Sequence, residues 1–168
     1  MRMKIGLFGD THDNLPLLDK ALALFKREDC QILFHTGDFV APFAVKKILG
    51  YDGQVRAVLG NNDGEVEAIR VLFGQAKETA QLQTYSLAEV VGEKRIILHH
   101  GHIPFFQDAL VKSQTFDLVV SGHTHRQEVY NEGRTLVVNP GTVSGYVSGE
   151  STVVVIDTET WEPLVHTL

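Results

Sequence analysis

The sequence predicts an α/β fold of two stacked sheets flanked by helices. Three observations carry this. Short apolar runs alternate with helix-periodic stretches through the first half, as βαβ units do. The second half changes to paired runs joined by tight Gly-containing turns, as antiparallel hairpins do. At 168 residues the chain is long enough for one substantial core, so 1–168 is expected to be a single domain.

The elements follow in order. Met3–Phe8 is the first strand. Asn14 is a plausible N-cap with Pro16 in the first turn, and Leu17, Leu18, Ala21, Leu22, Leu24 and Phe25 repeat at helical spacing to about Arg27. Gln31–His35 is a second strand, ending in Thr36-Gly37-Asp38. Pro42 opens a second helix with Phe43, Val45, Ile48 and Leu49 on its apolar face. Gln54–Leu59 is a third strand, and Glu65–Phe73 a third helix. Gln83–Val91 and Lys94–Leu98 read as a hairpin about Gly92-Glu93. A fourth helix is expected over Phe105–Lys112, then a strand at Asp117–Val120. Gln127–Asn131 and Thr135–Val138 form a hairpin about Glu132-Gly133, after which Asn139-Pro140-Gly141 reads as a turn. Val143–Ser151, rich in Gly and Ser, reads as a mobile loop. Thr152–Asp157 and Trp161–His166 close the chain as a last hairpin.

Composition excludes several classes. Hydrophobic residues make up 43 % and charged residues 21 %, ordinary for a globular protein. No run approaches the roughly 20 apolar residues of a membrane span. The N-terminal apolar run is too short and too soon interrupted by Asp10 and Asp13 to be a signal peptide, so a cytoplasmic protein is expected. A net charge of −6 with no Lys/Arg run argues against a stable nucleic-acid complex. One cysteine, Cys30, leaves no intrachain disulfide and no cysteine-rich metal site. A homo-oligomer stays open.

Of the 8 histidines, seven precede residue 130, most beside Gly or Asp. Six apolar runs end in a polar motif: Gly9-Asp10-Thr11-His12, Gly37-Asp38, Gly60-Asn61-Asn62-Asp63, His100-Gly101-His102, Gly122-His123-Thr124-His125 and Asn139-Pro140-Gly141. Ligands of open α/β sheets bind beyond the carboxyl ends of the strands. Six such ends on one edge would gather two carboxylates, an amide and at least four imidazoles. In Asp10-Thr11-His12 an extended backbone would point both side chains one way. Oxygen and imidazole donors without thiolate suit divalent first-row metals: manganese, iron, zinc, nickel or cobalt, with magnesium less apt.

These motifs, in this order over nearly the whole chain, resemble the calcineurin-like metallophosphoesterases in their compact phosphodiesterase branch. The resemblance implies a four-layer α/β/β/α sandwich and a dinuclear metal centre. By position, Asp10, His12 and His125 would hold one ion and Asn61, His100 and His123 the other, with Asp38 bridging. It implies a small phosphodiester as substrate, cleaved by a hydroxide shared between the metals, manganese foremost. Two divalent ions with two aspartates and that hydroxide leave a local charge of about +1, attractive to a phosphate ester. Asn61 would both ligate and orient the phosphate. His102 is the candidate acid for the leaving group, and Asn62 and Arg126 are candidate substrate contacts. The sequence departs from the family pattern at Asn62, a histidine in the larger phosphatases, at His99, usually threonine, and at Thr142, usually serine. The rival readings are a retromer-type scaffold, which would lack histidine ligands, and a nuclease, which would carry capping segments and basic surface.

Overall fold

A computed structural model describes residues 2–168. It contains eleven strands and four helices in two sheets. The first sheet is built on β1 (Lys4–Phe8), β2 (Cys30–His35), β3 (Gln54–Val58) and β4 (Ala80–Gln83), all parallel. Its other flank is antiparallel, through β10 (Thr152–Asp157) and β11 (Pro163–Thr167), giving the order β11-β10-β1-β2-β3-β4. The second sheet runs β5-β6-β7-β9-β8. Its members are β5 (Ser86–Val91), β6 (Lys94–His99), β7 (Leu118–Val120), β8 (Gln127–Glu132) and β9 (Thr135–Pro140). There β6, β7 and β9 are parallel and both edges antiparallel.

Three helices, α1 (Leu15–Arg27), α2 (Pro42–Leu49) and α3 (Val66–Gln75), connect the parallel strands. They cover the outer face of the first sheet, where Leu18, Phe25, Val45, Ile48, Ile69 and Phe73 pack with Phe8 and Leu33. The helix α4 (Phe106–Lys112) lies on the second sheet, Val111 packing with Ile97, Val119 and Val137. Between the sheets Ile5, Leu7, Phe34, Ile96, Leu98, Leu118, Val120, Val138, Val154 and Ile156 form an apolar layer. The expected α/β/β/α order of layers is therefore present. The central strands are buried on both faces, which is why they read as unbroken apolar runs. Asn14 caps α1 as expected, its side chain accepting from Leu17 N, and Pro16 sits in the first turn.

The structure corrects four expectations. Gln83–Val91 is not one strand: β4 ends at Gln83 in the first sheet, and β5 begins at Ser86 in the second. Two residues suffice to cross between layers there, and neither is Gly or Pro, so no turn signal marked the step. Asn139 and Pro140 belong to β9, with Pro140 opposite Gln127, and the chain turns only from Gly141. Trp161 has a positive φ of 58° and lies in the last turn, so the closing strand starts at Pro163. Val143 and Ser144 are buried and tied down, their N–H groups donating to Gly9 O and Asp10 O. The start of the expected mobile loop is thus part of the packed structure. Among the described residues no helix is long and apolar enough to cross a membrane.

Candidate metal centre

The polar motifs meet beyond the carboxyl ends of β1, β2, β3, β6, β7 and β9. Asp10 and His12 do not share a face by extension, as Asp-x-His spacing suggested. The strand stops at Phe8, and Asp10 and His12 both have positive φ, 48° and 41°. Asp38, His123 and His125 are likewise left-handed, at 60°, 71° and 58°. Such backbone is strained for residues with a Cβ, and clusters of it mark functional sites. These five ligand candidates are therefore aimed by sharp local turns.

Neighbouring loops hold those turns. Asp10 N donates to Gly37 O and His12 N to Asp38 O. Thr142 Oγ1 donates to Asp10 O at 2.8 Å. Asn139 Nδ2 donates to Gly122 O and Thr124 Oγ1, both at 3.0 Å, and its Oδ1 accepts from Gly141 N. That explains why Asn139 belongs to the motif set: it fixes the loop bearing His123 and His125. A Cβ on Gly60 would collide with Asp38 Oδ1, and one on Gly122 with Thr36 Oγ1 and Asp10 Oδ2. Glycine at both places lets the loops close around the carboxylates.

Asp10, His12, Asp38 and His125 each offer a ligand atom, all within 4.8 Å of one another. The Nε2 atoms of His12 and His125 are 3.3 Å apart. Asp10 Oδ1 is 3.3 Å from His125 Nε2 and 3.9 Å from His12 Nε2, and Asp38 Oδ2 is 3.5 Å from His12 Nε2. Asp10 Oδ1 is buried without a hydrogen-bond partner. A buried, unpartnered carboxylate oxygen beside two imidazoles fits a cation.

A second group adjoins it. His100 Nδ1 lies 2.8 Å from Thr36 O, which only accepts, so this nitrogen carries the proton. In the neutral ring Nε2 then turns a lone pair toward Asn61 Oδ1 at 2.9 Å and Asp38 Oδ2 at 3.4 Å. With the ring neutral, three acceptor lone pairs face one another, and only Asp38 Oδ2 has a donor besides, Asn62 Nδ2; this too suits a cation. The His123 ring centroid lies 5.2 Å from that of His100. Its backbone N–H donates to Asp10 Oδ2 at 3.0 Å.

The carboxylates and imidazoles perturb one another. Burial opposes ionising Asp38, yet the His100 imidazole and then the Asn62 N–H groups hold its carboxyl well below the usual carboxylate range. Burial lowers the His100 pKa, but Asp38 outweighs it and the net shift is upward. Asp10 raises the His125 pKa. Burial lowers those of His123 and His102.

The other sequence candidates are placed as follows. Asn62 turns inward: its backbone N–H and Nδ2 each donate to Asp38 at 2.8 Å. The His102 ring lies 5.3 Å from that of His100 and 6.2 Å from that of His123. Arg126 is exposed, beyond the cluster, and only its backbone N–H is engaged, with Thr124 Oγ1. His35 is buried, stacked on Phe39 at 3.9 Å, with Nδ1 accepting from Gly37 N and Nε2 3.3 Å from Thr11 Oγ1. It supports the Gly37-Asp38 turn. His99 is buried against Phe106, away from the site.

Asp63 was not singled out by its sequence. Its carboxylate accepts from Gly60 N at 2.7 Å, Val40 N at 2.8 Å and Asp38 N at 3.2 Å. One side chain thus ties together the loops that carry Asp38 and Asn61. An aspartate three residues after Gly60 is the signal that could have found it, since Asp favours accepting from nearby backbone N–H groups.

Residues 3–161 match the family model of the calcineurin-like phosphoesterase superfamily domain. The chain belongs to the calcineurin-like phosphoesterase superfamily. Members of this superfamily use divalent metals, and the group of Asp10, His12, Asp38 and His125 is a candidate site for one. Phosphodiesterase MJ0936 of Methanocaldococcus jannaschii is 34 % identical over 157 residues, 94 % of each chain. Phosphodiesterase YfcE of Escherichia coli K12 is 30 % identical over 155 residues, covering 84 % of this chain and 80 % of its own. The solved structure of an archaeal phosphodiesterase superposes with a TM-score of 0.93 at 32 % identity, covering 99 % of this chain and 100 % of the other. Vacuolar Protein Sorting 29 of Cryptosporidium parvum shares the fold, with a TM-score of 0.70 at 19 % identity over 99 % of this chain and 97 % of its own.

Proposed function

We propose that this calcineurin-like phosphoesterase, acting as a single domain over residues 1–168, is a metal-dependent phosphodiesterase for small diesters that holds two divalent ions side by side. One observation carries the reading. Asp38 Oδ2 lies 3.5 Å from His12 Nε2 in one donor group and 3.4 Å from His100 Nε2 in the other, so one carboxylate serves both. Asp10, His12 and His125 would hold the first ion, and Asn61, His100 and His123 the second. The oxygen and imidazole donor set admits manganese, iron, nickel, zinc or cobalt, with magnesium less apt; the family resemblance puts manganese foremost. When bound, paired divalent ions lower the pKa of a water and neutralise charge on phosphoryl oxygens.

The chain's own residues supply the rest. The fixed Nδ1–H of His100, bonded to Thr36 O, aims its Nε2 inward. Asn62 clamps both oxygens of Asp38. Asn61, with its amide at the junction of the second group, orients the phosphate. His102 is the candidate proton donor to the leaving oxygen. Burial, and the neighbouring His100 and His123, lower its pKa, so the role rests on its place beside the second donor group. The relatives named phosphodiesterase support a diester as substrate.

The test is turnover of bis(4-nitrophenyl) phosphate with and without manganese, beside 4-nitrophenyl phosphate and a chelator control. The reading expects metal-dependent hydrolysis favouring the diester. No turnover with any first-row metal would contradict it.

A further inference from the structure

On the flank of the sandwich carrying β8 and β11, β8 is a free edge. It ends the second sheet, and all six of its residues are exposed. Natural edges are blunted by charge, proline, a bulge, shortness or a covering element, and of these β8 carries charge, on Glu128 and Glu132. This strand contains no proline, and its register with β9 runs unbroken from Gln127↔Pro140 to Glu132↔Thr135. Val129 and Tyr130 are 37 % and 40 % exposed. β11 ends the first sheet, and because β10 packs against β9 it lies on the same flank, adding Leu164 and Val165 at 57 % and 39 % exposure.

The backbone fixes which groups this edge offers. Gly133 has φ 59° in a two-residue turn, the first-position glycine of a II′ hairpin. Glu132 and Thr135 then exchange both backbone bonds, and alternation directs the N–H and C=O of Glu128, Tyr130 and Glu132 toward β9. Those of Gln127, Val129 and Asn131 point outward.

We propose that two copies of this chain pair antiparallel through β8, about a two-fold axis at Val129, to form a continuous ten-stranded sheet. An axis perpendicular to the sheet keeps the inner faces continuous, because opposed residues point to the same face. Side-chain charge then selects the register. Centring on Tyr130 opposes Glu128 to Glu132 twice, and centring on Glu128 opposes it to its own copy. Centring on Asn131 runs off the strand at the Gly133 turn. Centring on Val129 sets Val129 against Val129, Glu128 against Tyr130, Gln127 against Asn131 and Arg126 against Glu132 twice. Gln127, Val129 and Asn131 are the outward-bonding residues, so the ladder is satisfied. Among the described residues neither Arg126 nor Glu132 makes an ion pair within the chain. Val129 lies opposite Val138, a member of the layer between the sheets, so pairing extends that apolar layer across the axis.

Sedimentation of the full chain should give twice the 18.6 kDa chain mass. Arg126→Glu or Glu132→Arg alone should shift it to monomer at the same concentration, and the combined charge swap should restore the dimer. Far-UV circular dichroism and thermal melting check that each variant is folded. Residue 129 would face its own copy in a hydrogen-bonded pair, at a Cα separation of about 5.5 Å, within disulfide range. Val129→Cys should therefore cross-link under mild oxidation while Asn131→Cys does not, since the other cysteine, Cys30, is buried. A monomeric native chain at its highest soluble concentration would overturn the proposal. So would charge reversals that leave a dimer, or cross-linking through residue 131 and not 129.

Discussion

Asp63 offers the sharpest test of how the site is held. Asp63→Ala removes the acceptor of three backbone N–H groups, from Gly60, Val40 and Asp38. Asp38 is fully buried, so its N–H would be left without a partner, at about 1–3 kcal/mol. The Gly60 and Val40 groups are half-buried and would regain water, so each loses only a charge-assisted bond, about 1 kcal/mol net. The expected loss of unfolding free energy is therefore about 3–5 kcal/mol. Asp63→Asn keeps one oxygen and should lose about 2 kcal/mol. The loss should reach the metal centre, because Asp38 sits at a strained φ of 60° and relaxes when its turn is released. Urea unfolding with and without manganese measures both effects. The wild type should gain stability with manganese and the variants should gain less. A change below about 1 kcal/mol in Asp63→Ala, with manganese stabilisation intact, would refute the reasoning.

His102→Ala should slow hydrolysis of alkyl diesters far more than of aryl diesters, as expected for loss of a proton donor; equal effects on both, followed by phenolate absorbance for the aryl and phosphomonoester formation for the alkyl substrate, would deny it that role. His35 should make the protein acid-sensitive. Burial pushes its pKa down to about 3, so below pH 6.5 the unfolded chain takes up a proton that the native ring does not. Stability should fall as pH drops from 6.5 toward 3, by about 1.4 kcal/mol per unit from this group, and His35→Gln should flatten the slope in urea titrations at pH 7 and 5. Burial pushes the Cys30 thiol up to about 12, so an aromatic disulfide reagent at pH 8 should label it only after unfolding.

The strand-end motifs were legible because each is contiguous in sequence and its strand is an unbroken apolar run. Their convergence followed from α/β topology alone. Geometry within each motif was not legible: Asp10 and His12 reach one point through left-handed turns held by Gly37 O and Asp38 O, contacts made with the end of the next strand. The break between Gln83 and Ser86 was hidden because nothing in the residues between them says which sheet the chain joins. Asp63 stood in view within the Gly60–Asp63 motif, but its role needed the placement of the Val40 and Asp38 N–H groups, which come from another loop. Asn139 was visible as part of a motif, but its role in holding the His123–His125 loop needed the placement of Gly122 O and Thr124 Oγ1.

The direct test of the paired metal centre is anomalous diffraction from a manganese-soaked crystal. The account predicts two peaks sharing Asp38, one bounded by Asp10, His12 and His125 and the other by Asn61, His100 and His123. A single peak, or a second one away from Asn61 and His100, would contradict it.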